Sequence, residues 1–462
     1  MLFNSLLFIL FFIVTSCLYY FLPHRFRWFL LLITSCYFYM YFKPVYVLII
    51  FATIIIDYCA GILIEKSNGS KRRILLIVSL AANIGILAFF KYFNFIADNI
   101  NHLLPGNNAH NIPFVTFILP IGLSFHTFQA MSYTIEVYRG NQKAEQHFGI
   151  YSLYVMFYPQ MVAGPIERPQ HILPQFHRIV QFSKTNLATG LLLISIGMIK
   201  KVVIADRLAL YVDPVFNHPS IHSPLDLLIA AYLFAFQIYC DFSGYSDIAI
   251  GAAMVLGIEL MKNFNAPYLA LNISDFWKKW HISLSTWFRD YLYIPLGGNR
   301  HGFLKTCINL FVVFLISGLW HGADWKYVLW GVIHGSFLII YQLTKKIRVK
   351  IIDQKLPQWF FTFNIVALAW IFFRANHVND GFYILKKIFS FSGWDFKAAS
   401  VMNINEILYC ILMIIVLLVS EKYFQIGKIV SNHKKILLAG GLVIICYFLG
   451  IFNEAQFIYF QF

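Results

Sequence analysis

Long apolar stretches separated by short polar interruptions run the whole length of this 462-residue chain. The stretches are about 14 to 20 residues each, and about 20 residues of helix cross a bilayer core. Pattern and length together predict an all-α polytopic membrane protein with roughly eleven transmembrane helices, plus shorter re-entrant and interfacial ones. The first stretch, 6–22, has no basic n-region and no A-x-A-like cleavage site, so it reads as a retained helix rather than a removed signal peptide. Two stretches are irregular: 114–131 is interrupted by Pro120 and Gly122, and 151–163 ends in Pro159, Gly164 and Pro165. Broken backbone at membrane depth survives only where it is buried in protein or lines a wet cavity, which implies a central tunnel.

Composition agrees and narrows the class. Apolar residues make up 59% of the chain and charged ones 12%, against roughly 25% charged in a soluble domain. A soluble enzyme and a nucleic-acid binder are excluded, although the net charge of +15 would otherwise suggest the latter. Seven cysteines lie singly in apolar segments, without disulfide or metal spacing. The pattern reads as one membrane domain: N-terminal helices over 1–112, a core with the tunnel over 113–345, and C-terminal helices over 346–462. No internal duplication is visible.

The basic clusters set sidedness, because cytoplasmic loops are enriched in Lys and Arg. Arg25 and Arg27, then Lys66 with Lys71 to Arg73, then Arg300 to Lys305, then Lys345 to Lys350, alternate with neutral loops and place both termini outside the cytoplasm.

Candidate chemistry sits where polarity interrupts the apolar pattern. On a helix begun by Asn272 or Ser274, the residues Trp277, Trp280, His281, Leu284, Trp287, Phe288 and Tyr291 fall on one aromatic face. Asp275, Lys278, Lys279, Ser285 and Arg289 fall largely elsewhere, as on an interfacial amphipathic helix. His281 is on the aromatic face, where such a helix has no need of it. His321 lies between two apolar segments, after Trp320 and before Gly322; an ionisable residue there is by default a functional candidate. A buried neutral imidazole suits a general base, while a histidine hydrogen-bonded at the outer interface is the competing reading. Asp241, Ser243 and Tyr245 break another apolar run, as a hydrated tunnel or a packed polar network would. Asn265 leads into the aromatic helix, and Pro295 to Arg300 leads out through two glycines, either as a plain turn or as a close approach to a phosphate-bearing ligand. No metal site is expected, since no His or Cys pair has zinc spacing.

These blocks resemble the membrane-bound O-acyltransferase (MBOAT) family, and within it the bacterial alginate O-acetyltransferase branch. The resemblance is carried by 241–251, 263–268, 275–293, 295–300, Gly318-Leu-Trp-His-Gly-Ala323 and the closing 457–462, with 120–125 and 163–168 also matching. It implies catalytic roles for His321 and His281, and a donor- or tunnel-lining role for Trp280, Ser283, Arg289, Arg300, Asp241, Ser243, Tyr245, Asn265 and Trp320. It implies acetyl-CoA as a transient cytoplasmic acyl donor, with no permanently bound cofactor. The expected location is the bacterial cytoplasmic (inner) membrane, with the two histidines marking inner and outer parts of one path. The expected acceptor is a polysaccharide: alginate-like exopolysaccharide, cellulose or peptidoglycan. The polar excursions at 139–147 and 375–405 are too small for a second catalytic module, and the resemblance implies a separate periplasmic or membrane-anchored SGNH hydrolase-like acetyltransferase as partner. A D-alanyl transferase acting on teichoic acids and a transporter are the alternatives.

Overall fold

A computed structural model describes residues 1–103, 112–116, 119–162, 164–345, 354–390, 393, 401–424, 431–452 and 457–458. The matching residue Ala163, the last four residues of the closing block and the cations Lys346, Arg348 and Lys350 lie outside these. The described residues are helical and contain no strand. Among the described residues nine helices are long and apolar enough to cross a membrane, where the sequence predicts roughly eleven spans. One shorter apolar helix, Leu6–Phe21, falls below that length. Side chains such as Leu437 and Phe448 are exposed along whole helix faces, as lipid-facing surfaces require and water-facing ones do not. The protein is a multi-pass membrane protein.

The chain forms two compact units, one of residues 1–191 with 249–261, the other of 192–248 with 262–462. The first contains α1 (Leu6–Phe21), α2 (His24–Met40), α3 (Tyr46–Lys66), α4 (Gly69–Leu103), α5 (Leu123–Arg139), α6 (Phe148–Met156) and α7 (Pro169–His177). A polar contact fastens α3 to α4: the buried Asp57 accepts from Ser79 Oγ at 2.6 Å and from Asn83 Nδ2 at 2.9 Å. The predicted interruption is real. Gly122 adopts φ +76°, and α5 begins directly after it. Tyr151 and Tyr154 on α6 and Tyr158 just after it are fully buried, so this broken backbone is covered by protein rather than lipid.

The helical run α8 (Lys184–Met198), a π-turn (Ile199–Ala205) and α9 (Asp206–Asn217) leads out of the first unit. α10 (Pro224–Val255) follows, then the short α11 (Ile273–Lys279) and α12 (Ile282–Phe288). The second unit is completed by α13 (Gly302–His321), α14 (Trp325–Thr344), α15 (Lys355–Arg374), α16 (Val378–Ile388), α17 (Ile404–Tyr423) and α18 (Asn432–Leu449).

α13 and α14 form a tight hairpin, and its tightness positions the site. Asp324 ends the turn and caps α14 by accepting from Lys326 N at 2.9 Å. Gly318 and Gly331 face each other, so that a Cβ on Gly318 would lie 3.2 Å from the Gly331 Cα and would collide with the Tyr327 carbonyl. Only paired glycines permit that approach. Gly318→Leu is therefore expected to force the hairpin apart at a cost of about 1–3 kcal/mol. The measurement is the thermal unfolding midpoint in detergent, followed by tryptophan fluorescence; an unchanged midpoint would refute this packing.

Candidate active site

The aromatic segment 272–291 is not the single helix its spacing predicts. Asn272 caps its start as expected, accepting from Asp275 N at 2.8 Å. The helix then stops at Lys279, and His281 takes a left-handed backbone conformation, φ +43°, before α12 begins. Such a conformation in a non-glycine residue is strained and persists only where its surroundings hold it. Residues 263–265 do so. Asn265 N donates to Lys279 O at 2.9 Å and Ile282 N donates to Asn263 O at 2.8 Å. The Asn263 Oδ1 accepts from Ser283 Oγ at 2.9 Å and from Ser283 N at 3.3 Å. Period alone cannot reveal such a break, because the residues that cause it lie ten or more positions upstream.

The same carboxamide fixes the imidazole. Because Asn263 Oδ1 accepts from a backbone N–H, its oxygen and nitrogen are assigned. His281 Nδ1, 3.1 Å away, must then be the donor. A neutral His281 consequently keeps its lone pair on Nε2. Burial pushes its pKa down to about 3, so the neutral form is the relevant one.

The imidazole of His281 packs edge-on against Phe242 at 4.7 Å and lies 6.3 Å from the ring of Trp320. Trp320 in turn lies 5.0 Å from His321, which ends α13 and also meets Trp330 at 5.0 Å and Phe373 at 5.3 Å. Both histidines are buried. A single indole is the neighbour of both, so the structure gathers them into one aromatic cluster instead of setting them at two ends of a long path.

The other predicted residues divide. Trp280 is wholly buried and packs with Tyr239, Phe264 and Trp370. Ser283 and Trp320 belong to the cluster just described. Asp241 is held in a packed ion network, with its Oδ1 2.6 Å from Lys201 Nζ and its Oδ2 accepting from Ile458 N at 2.8 Å. Lys201 also pairs with Asp206 at 2.8 Å. Ser243 is buried nearby on the same helix, and the ring of Tyr245 packs on Phe457 at 4.9 Å. The side chain of Asn265 turns to the exposed Lys262 while its backbone helps hold the break, Arg289 pairs with Asp290, and Arg300 is exposed. The sequence reading did not single out Asn263 as a site residue, nor Lys201 or His334. Lys201 carries a charge within an apolar span, a signal that could have marked it.

Two buried histidines thus share one aromatic enclosure among the helices of a multi-pass membrane protein. The model of the MBOAT, membrane-bound O-acyltransferase family, matches residues 141–377. The chain belongs to that family and is an acyltransferase. It is 36% identical over 413 residues to the probable alginate O-acetylase AlgI of Pseudomonas aeruginosa, covering 88% of this chain and 78% of that one. It is 35% identical over 432 residues to the peptidoglycan O-acetyltransferase of Helicobacter pylori, covering 85% and 80%. The teichoic acid D-alanyltransferase of Bacillus subtilis is 28% identical over 298 residues, covering 62% and 72%.

The depressed basicity of His281 has a consequence for stability. Unfolded, this imidazole titrates near 6.5; folded, near 3. Between those values the unfolded chain binds more protons, so this contribution to stability is present above the unfolded pKa and is lost as pH falls through the window. His281→Gln is expected to flatten the fall of the unfolding midpoint between about pH 7 and pH 5. Parallel midpoint curves for wild type and variant would contradict the assignment.

Proposed function

We propose that the protein carries acetyl groups from cytoplasmic acetyl-CoA to hydroxyls of a polysaccharide outside the bacterial cytoplasmic membrane, working with a separate extracytoplasmic acetyltransferase. The observation that carries the reading is the buried cluster of His281, Trp320 and His321 inside the family-matched segment. The relatives named for alginate and for peptidoglycan direct the acetyl group towards sugar hydroxyls. In the proposed reaction His321 takes the proton of an acceptor hydroxyl as its oxygen attacks the thioester carbonyl carbon. The C–O bond forms, the C–S bond breaks, and the proton passes to the thiolate, releasing the thiol. The tautomer of His281 gives it an accepting Nε2, so it positions an N–H of the pantetheine arm or the acceptor hydroxyl and does not polarise the carbonyl. Lys278 and Arg300, both exposed, suit the phosphates of the donor.

A D-alanyl transfer fed by a carrier protein is the second reading, favoured only by the more distant teichoic acid relative. Labelled acetyl-CoA added to membranes holding the full-length protein, its partner and the glycan decides between them. Wild type is expected to label glycan or partner, and His321→Ala, properly inserted, to lose about 10³-fold of that rate. Unchanged labelling by His321→Ala would overturn the role of His321. Stable capture of an aminoacyl carrier protein, with no acetyl transfer, would replace the acetyl reading by the D-alanyl one.

A further inference from the structure

Resting on that acyl-transfer reading, the structure leaves one requirement unassigned: the developing negative charge on the carbonyl oxygen needs hydrogen-bond donors, and the His281 tautomer cannot supply one. Two candidates stand on α14, one turn apart and on one face: Trp330 and His334, with ring centroids 4.7 Å apart. Both are completely buried. Trp330 also touches His321, at 5.0 Å.

Their protonation can be read from the geometry. Trp277 Nε1 lies 3.3 Å from His334 Nδ1, and an indole nitrogen can only donate. His334 Nδ1 is therefore the acceptor, and a neutral ring carries its proton on Nε2. Neither that Nε2 nor Trp330 Nε1 has a hydrogen-bond partner among the described residues. The rings of Trp277, Phe314 and Trp370 packed around His334 offer carbon surfaces. Two unpaired buried N–H groups on one helix face, one of them on a ring packed against the candidate base, are a stronger sign than either alone.

We propose that Trp330 Nε1–H and His334 Nε2–H are the donors for the carbonyl oxygen of the acyl group. When the acceptor oxygen attacks the carbonyl carbon, the carbonyl π pair moves onto the carbonyl oxygen, where the two N–H groups hold it. When the pair returns, the C–S bond breaks and the thiolate leaves with the proton relayed through His321. Neutral donors suit this depth, where a permanent guanidinium or ammonium would be expensive to bury.

The test compares Trp330→Phe, His334→Asn and His334→Gln in the full-length protein in lipid nanodiscs with labelled acetyl-CoA, partner and glycan. Trp330→Phe keeps the ring without the donor. His334→Asn keeps a group facing Trp277 and loses the donor at the Nε2 position, whereas His334→Gln restores an N–H there. Trp330→Phe and His334→Asn are each expected to lose about 10²-fold in kcat with little change in the KM for acetyl-CoA, and His334→Gln to recover most of the loss. Wild-type kcat in both donorless variants, with His321→Ala inactive, would overturn this inference and leave the proposed function standing. A wild type that transfers no acetyl group would remove that function and this inference together.

A second measurement needs no variant to fold. The keto analogue S-(2-oxopropyl)-CoA, labelled with carbon-13 at its ketone, is bound to wild type and its carbonyl stretch recorded by infrared difference spectroscopy. A band well below its position in alkane supports donation to the oxygen. A band at the alkane position would refute it.

Discussion

The side chain of Asn263 is the contact on which the candidate site depends. Its oxygen receives the His281 imidazole and both the hydroxyl and the amide of Ser283, and its nitrogen donates to Ser246 Oγ at 3.2 Å. These bonds offset the strain of a left-handed histidine, which by itself costs on the order of 1–3 kcal/mol. The break they stabilise sends Trp280 towards Tyr239 and Trp370, and His281 towards Phe242 and Trp320. The carboxamide also sets the imidazole tautomer, so one neutral side chain determines both the geometry and the proton placement.

Around this contact the second unit is built from rings rather than charges. His321, Trp330, His334, Trp370 and Phe373 follow one another at centroid distances of 4.7 to 6.2 Å. The glycine pair of the α13–α14 hairpin permits the close approach of backbones that brings His321 and Trp330 together. Formal charge is held in paired networks, one of Lys201, Asp206 and Asp241 and another of Lys200, Asp247 and Glu421. That division is what a low-dielectric interior demands: ionised groups are paired, and the proposed reacting groups are neutral donors and acceptors.

The helices were legible because their apolar length is set by the bilayer and needs no tertiary information. Pro120 and Gly122 likewise announced the start of α5, since their backbone preferences are local. His281 and His321 stood out because polar residues are rare in such surroundings. The break at His281 was hidden: its cause is Asn263, and no local pattern links the two. His334 carried the same signal, an ionisable residue within an apolar helix, but only the partner on its Nδ1 reveals a directed proton on Nε2. Asp241 illustrates a third case, in which polarity was visible but its partners Lys201 and Ile458 were not.

The central claim is that one aromatic chamber passes an acyl group from a donor on one face of the membrane to an acceptor on the other. The most direct measurement uses proteoliposomes with acetyl-CoA outside and the partner with its glycan enclosed, the protein being oriented by selective proteolysis of one population. The account predicts enclosed acetylated glycan only for the population whose cytoplasmic face meets the acetyl-CoA, and none without the protein. Acetylation that requires donor and acceptor on the same face would contradict it.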